Sequence, residues 1–325
     1  MSLYPWLHKL YEKIISYYIY NKNYAFLLEN RYENGAKYLV HNIICWLLCP
    51  NKKNYKFCKK CISCNLMQLN NHPDVYKIIL EKNKKSIGID SIRIIIKNIY
   101  NYSIYSKSKI IYIHNFELIT KKACNSLLKV IEEPPKNTFF IFVCKYIYNV
   151  LPTIKSRCIF LKLDIPIEES SVRWISNEVK KFNIKSIYTA LNICNGSILN
   201  SVNLLKSNLW NDRINVCKIF KKSLIKNNML LLVSIAGKKN NVEETLNIIY
   251  TLLTDGLKYK NNITNFFTNL DQEDLYISIS KYFSSHMLII KISQCLYCIK
   301  KCRNIKYINN QLLLIDYLLN FNLNK

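Results

Sequence analysis

Asn125-Ser126-Leu127-Leu128-Lys129-Val130-Ile131-Glu132-Glu133-Pro134-Pro135, followed by Thr138–Cys144 and then by Ser156-Arg157-Cys158, decides how this chain reads. Apolar residues at helical spacing predict a helix from about Lys121 to Glu132, with Thr120 as N-cap and Ala123, Leu127, Leu128 and Ile131 as its apolar face. Pro134 and Pro135 end it, because proline lacks an amide donor and clashes with the preceding turn. Thr138–Cys144 is an aromatic, β-branched run of strand length. Pro152 favours the first turn of a short helix, and Cys158–Leu163 reads as a further strand. Arg157 therefore falls at the junction of a short helix and a strand, at one end of a sheet. The chain has six arginines against forty-one lysines, so arginine here carries information. Its planar, always-charged guanidinium can contact two phosphate oxygens at once, which a lysine cannot.

Working outward, Ala25–Leu28, Val75–Leu80 and Lys109–His114 join these two runs as candidate strands. All five are nearly continuous in hydrophobicity, as expected for strands buried on both faces, and helical patterns alternate with them. Residues 1–165 thus predict an α/β domain around a parallel sheet. Near Asp164–Glu169 the strand pattern gives way to helices and does not return. Residues 166–207 predict a small helical unit, with helices over Val172–Phe182, Ile184–Cys194 and Ile198–Leu205. Residues 208–325 predict an all-helical domain. Its terminal helix carries Leu312, Leu313, Leu314, Leu318 and Leu319, more apolar surface than one helical face can bury.

Composition narrows the class. Half of the 325 residues are apolar, yet no run of eighteen or more is free of charge or strong polarity, so no membrane span is expected. The start, Met1–Lys9, lacks a secretory pattern, and the expected location is the cytoplasm. The formal net charge is +26. The lysines are spread along the whole chain, however, and the abundance of Asn, Ile, Lys and Tyr follows A/T-rich codons. The charge fits proximity to nucleic acid and gives no sign of sequence-specific binding.

Thirteen cysteines without a secretory signal point to metal or buried thiols rather than disulfides. Cys49, Cys58, Cys61 and Cys64 are spaced C-x8-C-x2-C-x2-C inside a Lys/Asn-rich loop, where packing gives no reason for cysteines. Four thiolates make a closed tetrahedral zinc site with no open position for water, so the expected role is structural. Lys52, Lys53, Lys56, Lys59 and Lys60 offset its negative charge. Cys295, Cys298 and Cys302 share one helical face beside Ile292, Leu296 and Ile299 and read as core, as do Cys45, Cys124, Cys144, Cys194 and Cys217.

In such a fold the turn after the first strand, Glu29–Tyr38, is where a phosphate-binding loop G-x-x-x-x-G-K-[ST] belongs. Only Gly35 remains of its glycines. Lys37 does not follow Gly35 directly, Tyr38 offers no aliphatic hydroxyl for magnesium, and Glu29 and Glu33 would repel a triphosphate.

The helix ending in Glu132-Glu133-Pro134-Pro135, the Ser156-Arg157-Cys158 motif and the cysteine module together resemble the clamp-loader branch of the AAA+ proteins, and within it the delta-prime family of bacterial DNA polymerase III. Tyr4-Pro5-Trp6-Leu7, Leu66-Met67-Gln68, His72-Pro73-Asp74, Gly88-Ile89-Asp90 with Arg93, and Asn309–Asp316 fit the same family. The likeness is strong over residues 1–165, fair to about 210 and thin beyond. It implies an AAA+-like sheet domain, a lid at 166–207 and a collar at 208–325 that holds the oligomer together. It also implies that Arg157, positioned by Ser156, reaches in trans into the ATP site of a neighbouring subunit. His114 and Asn115 stand where the family's ATPases carry an Asp-Glu pair, Glu117 falls two residues late at the surface, and Leu199 stands where they carry a second sensing arginine. No ATP hydrolysis is therefore expected of this chain. The implied partners are gamma- or tau-type ATPase subunits and the delta subunit in a hetero-pentamer that places the sliding clamp on primed DNA, making the chain a component of a DNA-directed DNA polymerase (nucleotidyltransferase). An active gamma-type ATPase and a zinc-containing DNA-binding protein are the alternatives.

Overall fold

Short, strongly apolar runs form the centre of the N-terminal half. The computed structural model describes residues 3–20, 25–32, 34–80, 86–163, 169–233, 242–263, 265–305 and 309–321. Strands β1 (Ala25–Glu29), β2 (Val75–Ile78), β3 (Lys109–His114), β4 (Thr138–Cys144) and β5 (Ile159–Lys162) make one sheet in the order β2-β3-β4-β1-β5. Every pairing is parallel, with Leu27 opposite Phe142 on one side and Phe160 on the other.

Helices cover both faces, as parallel strands require. On one face Phe26, Leu28, Tyr112 and Val143 pack with α1 (His8–Tyr20) and α2 (Ala36–Leu48). On the other, Leu27, Ile111, Phe140 and Phe142 pack with residues of α4 (Ile89–Ile99) and α5 (Lys121–Glu132). A short α3 (Ile62–Gln68) follows the cysteine loop, and α6 (Pro152–Lys155) precedes β5.

The expected helix over 121–132 is α5, and Thr120 caps it by accepting from the Ala123 amide at 3.3 Å. Leu128 is only half-buried, while Cys124 and Val130 complete the inner face. The outer strands differ more from expectation. β2 stops two residues early, with Ile79 65% exposed, and β5 is shorter at both ends, with Phe160 43% exposed. Both lie at sheet edges, where one side has no ladder partner, so continuous burial holds only for β1, β3 and β4.

The chain divides into two compact units, Met1–Pro166 and Ile167–Lys325. The second contains α7 (Glu169–Glu178), α8 (Ile184–Ile193), α9 (Ile198–Lys206), α10 (Asn208–Ile225), α11 (Val242–Lys260), α12 (Glu273–Tyr282), α13 (Ser285–Asn304) and α14 (Asn310–Leu319). The 164–168 boundary lies outside the described residues. A buried polar network ties α8 and α10 to the segment between α11 and α12. Arg213 makes a two-pronged pair with Asp271, both contacts at 2.7 Å, and Thr189 bonds the same carboxylate at 3.1 Å. Asn192 donates to the Phe267 carbonyl at 2.9 Å. The expected core thiols Cys295 and Cys298 are buried; Cys194 and Cys302 are half-buried, and Leu296 is exposed. Gly256 is required by contact: a Cβ there would lie 2.6 Å from Ile279 Cγ2, so α11 and α12 approach as closely as glycine allows.

His72-Pro73-Asp74 leads into β2 and organises the loop before β3. The buried Asp74 carboxylate accepts from the amides of Ile104 (2.7 Å), Tyr105 (3.0 Å) and Ser106 (2.9 Å) and from the Ser106 hydroxyl. Burial alone would raise its pKa. The hydrogen bonds from Ile104, Ser106 and Tyr105 outweigh burial and hold it below the usual carboxylate range. A depressed folded pKa contributes stability that is present above the unfolded value of about 3.9 and is lost as pH falls through the folded value. Asp74→Asn should cost about 1–3 kcal/mol at neutral pH. Denaturant unfolding of the variant should also weaken less than that of the parent as pH drops below about 4; parallel pH curves would contradict this.

Candidate functional site

Three places in the first unit gather most of the residues that the sequence singled out. The turn from β1 to α2 lies at the carboxyl end of the sheet, where α/β folds bind ligands. Gly35 caps α2 with φ +91°, a conformation suited to glycine. Tyr4 and Trp6 stack at 4.8 Å against this turn. Trp6 Nε1 donates to the Asn34 carbonyl at 3.2 Å, and a Cβ on Gly35 would stand 3.2 Å from Tyr4 Cδ2. Where a phosphate loop presents backbone amides to a ligand, this turn is packed by aromatic side chains.

Glu29 reinforces the point. Its side chain is 1% exposed, and its carboxylate accepts from the Ile147 amide at 2.9 Å and pairs with Arg31 at 3.1 Å. A buried carboxylate at the end of β1 opposes a second anion beside it. Glu33 lies outside the described residues, and Lys37 is exposed on the first turn of α2. Glu117 is not a free surface acid: it is half-buried and accepts from the Lys145 amide at 3.2 Å, bridging the ends of β3 and β4. Tyr112 and His114 Nδ1 bond each other at 3.1 Å. Leu199 is half-buried on the first turn of α9.

The second place gathers Cys49, Cys58, Cys61 and Cys64, whose sulfurs all lie within 4.8 Å of one another. Cys58 and Cys64 are 3.9 Å apart, and Cys49 and Cys61 4.0 Å. A tetrahedral ion with metal–sulfur bonds of about 2.3 Å needs sulfurs about 3.8 Å apart, so this group could hold a metal. Chain geometry builds the cluster. Cys61 caps α3 through the Cys64 amide at 3.4 Å, and Cys58 accepts from the Cys61 amide at 3.3 Å. Tyr11 of α1 donates to the Tyr55 carbonyl (2.8 Å) and Trp46 of α2 to the Asn54 carbonyl (2.7 Å), which anchors the loop on two helices. The amides of Lys60 and Cys61 pull the Cys58 thiol down to about 6, while burial pushes Cys49 and Cys64 up. Four sulfurs this close cannot all ionise without a cation among them.

The third place is Arg157, in the turn between α6 and β5. Its guanidinium bonds Glu132 at the end of α5, the Thr153 carbonyl at 2.9 Å and Ser156 Oγ at 3.4 Å. The side chain is 36% exposed, and Glu132 46%. An ion pair this open is worth about 0–1 kcal/mol, so the arginine is oriented without being locked in place. Sequence reasoning missed Glu132 as its partner, although the helix carrying it was the one quoted first. It also missed Tyr4 and Trp6 as the packing of the β1 turn, and the one signal for Glu29 was a charge ending an apolar strand.

A relative from Buchnera aphidicola (Schizaphis graminum strain), DNA polymerase III subunit delta', is 37% identical over 324 residues, covering 98% of this chain and 97% of that protein. The chain belongs to the DNA polymerase III subunit delta' family. The subunit delta' of Escherichia coli K12 is 28% identical, covering 98% of this chain and 95% of that one. Family profiles described as DNA polymerase III, delta subunit and delta subunit, C terminal match residues 8–166 and 207–322. Among solved structures, a DNA polymerase III gamma subunit-related protein of Thermotoga maritima shares the fold, with TM-score 0.51 and 17% identity over 97% of this chain and 98% of that one. The parallel-sheet α/β domain followed by helices that was read from the sequence is the architecture found.

With a metal held by this group, Cys61→Ser should weaken its retention by at least about tenfold and loosen residues 49–66, because such ligands fold around the ion they bind. Amide exchange should speed up there while the sheet amides stay protected. Unchanged exchange across 49–66 would remove the metal from this site.

Proposed function

We propose that this delta'-family chain is a non-hydrolysing subunit of the bacterial DNA polymerase III clamp loader and supplies Arg157 in trans to the ATP site of a neighbouring gamma- or tau-type subunit. The observation that carries this reading is the pairing of an exposed, oriented arginine at 157 with a β1 turn filled by Tyr4, Trp6 and a buried Glu29. One chain has the group an ATP site borrows and lacks the means to build that site itself. His114 and Asn115, at the end of β3, offer no carboxylate pair for magnesium, which argues against the gamma-type alternative.

In this reading Ser156 and Glu132 orient the guanidinium until the neighbour's triphosphate replaces them. The weak exposed pair then gives way to charge-assisted bonds to phosphate, which are stronger. Cys49, Cys58, Cys61 and Cys64 hold a structural Zn²⁺ that takes no part in the chemistry. Residues 166–207 act as the lid segment and 208–325 as the collar. The collar joins the subunit to its gamma or tau and delta neighbours in a hetero-pentamer that loads the sliding clamp on primed DNA. No helix among the described residues is long and apolar enough to cross a membrane, and the work of such a complex belongs to the cytoplasm.

Arg157→Ala should leave folding, one zinc per chain and assembly intact while lowering the DNA-stimulated ATPase and clamp loading of the reconstituted complex. Arginine fingers are worth roughly three to five powers of ten at the site they serve, so turnover at one site should nearly vanish while the others continue. Arg157→Lys should rescue little, since an ammonium is a point charge. Wild-type loading by the alanine variant would end the trans role. For the collar, Leu312 is 62% and Leu319 52% exposed on α14, with Leu314 and Leu318 turned inward. Leu312→Asp with Leu319→Asp should reduce co-elution with the partner subunits without lowering Tm. A truncation after residue 207 is a poor substitute, because it removes the partners of Thr189 and Asn192.

A further inference from the structure

A cleft of about 500 Å³ opens between α2, α3, the edge strand β2 and the end of β3, and no function assigned above uses it. Its polar lining carries four basic groups, Lys37 and His41 from α2, Lys77 from β2 and His114 from β3, beside Tyr38 and Asn70, to which Lys77 donates at 3.4 Å; no carboxylate is among the described lining residues. Lys37 and His41 are one helical turn apart and share a stripe of α2. Burial lowers the His41 pKa, and surrounding positive charges, those of Lys77 and Lys37 among them, lower it further.

The rest of the wall is apolar. Ile44 from α2, Met67 from α3 and Tyr112 from β3 form its interior, and Ile79 stands at the rim with 65% of its surface exposed. A volume of this size with mostly apolar walls and a few convergent polar groups fits a small organic ligand. The cationic lining selects its charge. A diffuse basic surface attracts any polyanion, whereas a concave one with apolar walls also rewards an apolar body attached to the anion.

We propose that this cleft binds a phosphate-bearing small molecule of nucleoside-monophosphate size, its phosphate held by Lys37 and Lys77 and its body packed against Ile44, Met67 and Tyr112. The cleft adjoins the packed β1 turn through Lys37 and Tyr38 and extends from there to the sheet edge, where Lys77 belongs to β2, with β3 and β4 between β2 and β1. No reaction is required of it, and the residues serve recognition alone.

The test uses the full-length, metal-loaded chain and isothermal titration with adenosine monophosphate, inorganic phosphate and adenosine as separate probes. The monophosphate should bind one per chain, about tenfold or more tightly than either half, because phosphate and body are recognised together. Raising salt should weaken it. Lys37→Ala with Lys77→Ala should cost about tenfold or more in Kd, while Lys180→Ala, an exposed lysine of the second unit, should change nothing. Both cleft lysines are exposed, so thermal melts should match the parent. Ile79→Glu, which sets a carboxylate at the rim, gives an independent route to the same loss. Absence of monophosphate binding, equal binding of inorganic phosphate, or parental affinity in both cleft variants would overturn the proposal.

Discussion

Burial of β1, β3 and β4 on both faces is the constraint on which the rest of the first unit depends. Parallel strands cannot be joined by tight turns, so each return is a crossover, and helices must cover both sides. Leu27, Ile111, Phe140 and Phe142 face one helical layer, and Phe26, Leu28, Tyr112 and Val143 the other. Crossovers of this kind deliver the loops after β1, β3 and β4 to one end of the sheet. The turn at Gly35, the acids Glu29 and Glu117 and the Tyr112–His114 pair are all at that end because the strands are parallel.

What occupies that end is a set of side chains that satisfy one another. Glu29 takes the Ile147 amide, Glu117 takes the Lys145 amide, and Trp6 donates to Asn34. The cysteine module depends on the same layers: its loop hangs from Tyr11 of α1 and Trp46 of α2, so sulfur geometry follows from helix packing rather than from the loop alone. Arg157 is the contrasting case, since its contacts are exposed, and its orientation rests on α5 and α6.

In the second unit a charged network takes the place of a sheet as the organising element. Arg213, Asp271, Asn269 and Thr189 lie in the interior, where an unpaired charge would be costly, and the two-pronged Arg213–Asp271 pair satisfies most of it. The neighbouring Arg213 also stacks over Trp210 at 4.7 Å. The described helices from Glu169 to Leu319 lie in the compact unit Ile167–Lys325.

The amino-acid pattern by itself determined the elements whose cause is local. β3, β4 and α5 carry their expected bounds because hydrophobic run length, an N-cap threonine and a double proline act within a few residues. The cysteine set was legible from its short spacings, while the sulfur geometry needed the anchoring of the loop on α1 and α2. Tertiary structure alone decided what depends on distant neighbours. The shortening of β2 and β5 follows from their edge positions, which no strand states about itself. Glu132 meets Arg157, and Glu29 meets Ile147, across separations of 25 and 118 residues. Lys37 and Lys77 line one cleft only because α2 packs over the sheet toward β2. Side-chain periodicity reports which face of an element is buried, and only packing determines what it is buried against.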